Sequence, residues 1–108
     1  MKNKTVVLKD TRKIYIVKLP SFPGSEVELY ESPLFGEIRE IESIKDDLSK
    51  GVKTLLLLIK DWNFVDEKGV KFPISEESLD MLPAKDLSVM MEKVASLINE
   101  DDSNQKKS

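Results

Sequence analysis

The oxygen-bearing side chains around the single tryptophan are the first residues in this chain that chemistry would recruit. In "DWNFVDEKGVKF", Asp61, Asn63 and Asp66 stand at short spacings, and oxygen donors of this kind suit hard cations such as calcium. A calcium loop of the EF-hand type needs an oxygen donor at its fifth position, glycine at its sixth and glutamate at its twelfth. Counted from Asp61, those places hold Val65, Asp66 and Phe72. The pattern fails at all three, and no metal site is expected. The acid pairs Asp46-Asp47, Glu76-Glu77 and Asp101-Asp102 invite a paired-carboxylate mechanism, in which one carboxyl gives and the other takes a proton. Neighbouring helical residues point about 100° apart, so such pairs do not converge on one substrate. Solvated or helix-starting charge is the simpler account. The four glycines are isolated, leaving no loop to cradle a phosphate.

Composition narrows the chemistry further. The 108 residues include no cysteine and no histidine, which removes disulfides, thiolate and imidazole nucleophile systems, and the usual zinc and iron ligand sets. No cofactor is expected, and an enzyme built here would rest on carboxylates, lysines, tyrosines or an oxygen-ligated ion. The length suits one domain with a modest core. The longest apolar run, Leu55 to Ile59, is far short of the roughly 20 residues that span a bilayer. No secretory signal is evident before Asp10, so a cytoplasmic location is expected. Net charge is −3, unevenly spread. Lys2, Lys4, Lys9, Arg12, Lys13 and Lys18 face Asp10 alone in the first 20 residues, whereas residues 26–50 carry eight acids against three bases. A basic start without interleaved aromatics, ahead of an acidic body, argues against nucleic-acid binding.

The elements that must position these residues follow from periodicity. "TVVLKD" and "RKIYIVKLP" predict two strands flanking a tight turn at Asp10-Thr11, on their β-branched content. Pro20, Pro23 and Gly24 end the second run. "EVELYE" alternates, placing Val27 and Leu29 on one face of a third strand. Ser32-Pro33 offers a helix start, and Leu34, Ile38, Ile41, Ile44 and Leu48 recur as a buried helical stripe. Gly51 is expected to stop that helix and "VKTLLLLIKDW" to form a second, buried on all sides. Ser75 can cap a turn containing Glu76 and Glu77. Pro83 opens the last helix, with Leu87, Met90, Met91, Val94, Leu97 and Ile98 as its stripe. The expectation is a single α+β domain over 1–99, a small antiparallel N-terminal sheet packed on three to four helices. A disordered polar tail is expected over 100–108.

Within that frame "DEKG" predicts a turn, with Gly69 supplying a positive φ and Asp66 bonding its own following backbone. Phe64 and Val65 can pair across it with Val70 and Phe72 as a miniature hairpin. Trp62 then either caps the core, its indole N–H finding a carbonyl, or anchors a partner. Met81, Met90 and Met91 suit core packing or an adaptable binding face.

The ordered set "EVELYESPLFGEIREI", an apolar helix ending in "DWNFVDEKG", and "FPISEESLDMLPAKDLSVMMEKV" resembles the tail assembly chaperones of long-tailed bacteriophages and prophages, over about residues 17–98. The shared pattern falls on Trp62, Asn63, Asp66, Glu67, Gly69, Pro73, Leu79, Leu82 and Pro83. The resemblance implies a non-enzymatic protein of the bacterial cytoplasm. Its client would be the helical tape measure protein, kept soluble until tail-tube subunits polymerise around it. No catalytic residue, membrane or nucleic acid enters this reading, and self-association stays open. A small structural or head-tail connector protein of the same particle is the alternative, and a carboxylate-based enzyme a third.

Overall fold

The computed structural model describes the backbone of residues 4–107 and the side chains of residues 4–97. Within them the chain is α+β. Three short strands, β1 (Ile14–Val17), β2 (Val27–Tyr30) and β3 (Ile59–Trp62), form an antiparallel sheet in the order β1-β2-β3. Helices α1 (Phe35–Glu42) and α2 (Asp47–Leu58) lie between β2 and β3, and α3 (Glu76–Asp80) and α4 (Ala84–Lys107) follow.

The sheet uses its β2 alternation as expected, with Val27 and Leu29 fully buried. Val17 and Tyr15 pair with them on the core side of β1. The register against β3 shifts between Glu28 and Leu29, where Val27 faces Trp62 and Leu29 faces Ile59. Lys60 is therefore the extra residue of a bulge. Residues three apart in a regular strand point to opposite faces, and the bulge is what brings both Ile59 and Trp62 into the core.

Several expectations are corrected. The "TVVLKD" segment forms no strand, and Asp10-Thr11 forms no hairpin turn. The Asp10 carboxylate instead accepts hydrogen bonds from the backbone and guanidinium of Arg12. Helix α1 starts at Phe35 rather than at Pro33, with Glu37 accepting the Leu34 N–H at 2.8 Å. The carbonyl of Ser32 is used by Arg12. The stripe from Leu34 to Leu48 is not a buried face: Ile41 alone of its residues is in the core, while Leu34 is 45% and Leu48 77% exposed.

Gly51 does not end a helix. The chain breaks earlier, where Asp46 caps α2 by accepting the Ser49 N–H at 2.8 Å, and Gly51 lies inside α2. A Cβ there would stand 3.0 Å from the Met91 methyl of α4, so glycine permits a close helix approach. Nor does the apolar helix run to Trp62. It ends at Leu58 and passes directly into β3. Leu55 and Leu58 are buried, whereas Leu56 and Leu57 are only half-buried.

Helix α4 presents Met90, Val94 and Leu97 to the core, and its Lys93 ammonium lies 5.1 Å from the Tyr15 ring. The side chain of Ile98 lies outside the described residues. So do the side chains of the expected disordered tail, 100–108, although the bounds of α4 extend through Lys107. No helix among the described residues is long and apolar enough to cross a membrane.

Candidate functional site

The nine residues singled out in the sequence lie along the stretch from the end of β3 to the start of α4. Trp62 ends β3 and is 3% exposed. Its indole N–H donates to the Phe72 carbonyl at 2.9 Å, and its ring meets Phe64 edge-on at 5.4 Å. Asn63 clasps the other side: Oδ1 accepts the Glu26 N–H at 2.8 Å and Nδ2 donates to the Gly24 carbonyl at 3.0 Å. This amide ties the end of β3 to the loop that enters β2.

The turn after it is built by Asp66. One carboxylate oxygen accepts the N–H groups of Lys68 and Val70 at 2.8 and 2.9 Å. The Gly69 N–H returns to the Asp66 carbonyl, and Gly69 has φ +84°, a conformation costly for any residue with a Cβ. Val65 and Lys71 then form a single antiparallel bridge, and the Phe72 N–H donates to Phe64. Glu67 is exposed on the turn.

Asp61, Asn63 and Asp66 each have a side-chain oxygen engaged within the protein. Asp61 accepts from its neighbour's N–H and from the Lys71 ammonium, and the Lys71 contact holds its carboxyl below the usual range. Asn63 Oδ1 and one carboxylate oxygen of Asp66 accept from backbone N–H groups, as described above.

Beyond Pro73, which is exposed, Ser75 caps α3 by accepting the Ser78 N–H. Leu79 enters the core, Leu82 is half-buried, and the Pro83 carbonyl accepts the Asp86 and Leu87 N–H groups at the start of α4. Asp86 is completely buried, and its Oδ1 accepts the Ser21 N–H at 3.1 Å. The proline-rich loop is thereby fastened to the first turn of α4, where a carboxylate is favoured by the helix dipole.

These connections leave an apolar pocket of about 200 Å³ walled by Phe22, Trp62, Phe64, Phe72 and Leu82, with Met81 at its rim. Met81 is 67% exposed. Phe22 meets Phe64 edge-on at 5.3 Å. The arrangement offers aromatic walls and a flexible thioether, and no titratable side chain lines the pocket. It can hold an apolar group, and the one hydroxyl-bearing residue of its lining, Ser78, is bonded to the Ser75 hydroxyl that caps α3. Of the wall residues, Phe22 was not legible as such, since "LPSFPGS" reads only as a strand-breaking loop. An aromatic between two prolines is the signal that marks it.

No family model matches the chain, and neither a curated protein nor a solved structure does.

Proposed function

We propose that this protein is a non-enzymatic tail assembly chaperone of a long-tailed phage or prophage, acting in the bacterial cytoplasm. It holds apolar helical segments of a tape measure protein in solution before tail-tube subunits close around them. The observation that carries this reading is the aromatic pocket at the β3–α3 corner, to which Trp62 and Leu82 of the resemblance pattern contribute walls. An amphipathic helix docks by placing apolar side chains into such hollows, and a methionine rim adapts to different side chains.

Co-expression with a long, heptad-rich tape measure client tests the reading. The parent chain is expected to bring the client into the soluble fraction and to co-purify with it. Met81→Glu, which charges the rim without touching the core, is expected to lose the client while melting like the parent. A client captured equally by that variant would remove the pocket from the mechanism. A parent that captures no client would remove the chaperone reading. Purified particles should lack the protein; its presence there would favour the connector alternative.

A further inference from the structure

The segment ahead of β1 leaves its apolar residues unused. Val6, Val7 and Leu8 are 90%, 79% and 98% exposed. Among the described residues, Lys4–Lys9 form no strand and no backbone bond to the body. Yet Thr5, Val6, Val7 and Leu8 are a strand-forming composition. Beside them stands an edge of matching length, since β1 is four residues long and its outer side pairs with no other strand among the described residues. Its outward-facing Ile14 and Ile16 are exposed.

Folding the arm back onto its own β1 would need a hairpin loop made from residues 9–13, and those residues are held elsewhere. The Asp10 carboxylate grips the Arg12 guanidinium at 2.7 Å. Arg12 in turn donates to the Ser32 carbonyl at 2.8 Å, reaches Glu37 at 3.2 Å and lies 3.7 Å from the centre of the Tyr30 ring. The Lys13 carbonyl already accepts the N–H of Glu31, the residue just after β2, at 3.0 Å. The clamp fixes the base of the arm against the corner of β2 and α1.

We infer that the arm is a strand for a second copy of this chain: Thr5–Leu8 of one protomer adds antiparallel to the outer edge of β1 in its partner, reciprocally. Each chain carries both halves of the contact, so a two-fold exchange closes on itself and leaves neither arm nor edge unpaired. Backbone bonds supply the attraction, as in other strand additions. Lys4 and Lys9 bracket the arm and Lys13 and Lys18 bracket β1. The antiparallel pairing sets like charges opposite one another at both ends, so the association is expected to tighten as salt is raised. This association is independent of the client pocket.

Sedimentation velocity on the full chain over a wide concentration range tests it, together with hydrogen exchange at residues 5–8. A monomer–dimer equilibrium is expected, with amide protection of the arm that grows with protein concentration. Val7→Pro removes a strand donor from a residue outside the core. It is expected to weaken dimerisation by roughly tenfold or more, equivalent to about 1.4 kcal/mol, with an unchanged melting temperature at concentrations where both proteins are monomeric. A parent that stays monomeric throughout would overturn the inference. So would a Val7→Pro dimer as tight as the parent's, or arm protection already complete in the monomer, which would place the pairing within one chain.

Discussion

The indole N–H of Trp62 donates to the carbonyl of Phe72 at 2.9 Å, closing the Asp66–Gly69 turn against the end of β3. This bond makes the tryptophan a fastener as well as a core residue. Trp62→Ala removes both the bond and the largest aromatic wall of the corner, and is expected to cost about 3–5 kcal/mol, a large share of a small domain's stability. Trp62→Phe keeps most of the apolar bulk and loses the donor, so about 1–2 kcal/mol is expected from the unpaired carbonyl and lost bond. Thermal and urea melts of the three proteins check the order. An alanine variant that melts like the parent would show that the corner does not depend on this residue.

A second prediction concerns acid. The Arg12 side chain and backbone N–H hold the Asp10 carboxyl at about 2, down from its ordinary 3.8. Because the folded value is the lower one, the clamp's contribution is fully present above about pH 4. It is lost as pH falls from there through about 2. Side-chain carbon NMR should therefore find Asp10 still ionised at pH 3. In Arg12→Gln its titration should return toward 3.8. An Asp10 that titrates at its ordinary value in the parent would show that the clamp is not formed in solution.

The class of fold was legible because two signals are local. The Val27-Leu29 alternation and the Met90-Val94-Leu97 stripe each report one buried face, and both faces are buried. Other errors share a physical cause, namely tertiary contacts that override a local period. Ile59 and Trp62 are three residues apart, a helical spacing, and the bulge at Lys60 lets a strand satisfy it. Gly51 reads as a stop signal, yet it serves the approach of α4. Val6, Val7 and Leu8 read as a strand, but strand propensity is realised only where an edge is reachable, and the Arg12 clamp holds residues 10–13 away. At the candidate site the turn residues Asp66 and Gly69 were readable from their own chemistry. The pocket was not, because Phe22 joins it from forty residues away in sequence.

Asn63 supplies a third prediction. Its amide accepts from Glu26 and donates to Gly24, so both of its polar ends are needed. Asn63→Ala is expected to cost about 1–2 kcal/mol through loss of the two bonds. Asn63→Asp should not rescue it, because a carboxylate keeps the acceptor but sets a negative charge against the Gly24 carbonyl. Urea midpoints of the pair decide the matter. An aspartate variant as stable as the parent would mean that the Gly24 contact contributes nothing.

The last prediction is a gain of stability at Gly51. Glycine within a helix costs about 1 kcal/mol relative to alanine through backbone freedom in the unfolded chain. Its φ lies in the ordinary helical range, since the positive-φ glycines are Gly24 and Gly69. Against that gain stands one contact, the added Cβ at 3.0 Å from the Met91 methyl. That methyl is the far end of an unbranched side chain, and Met91 is 38% exposed, so a small rotamer adjustment relieves the crowding. Gly51→Ala should therefore stabilise by a few tenths up to about 1 kcal/mol. Gly51→Val adds branched bulk between α2 and α4 and should destabilise by about 1–3 kcal/mol. Melting curves of both variants test the sign. If alanine destabilises as valine does, the α2–α4 approach is rigid, and Met91 is a fixed packing partner rather than an adaptable one.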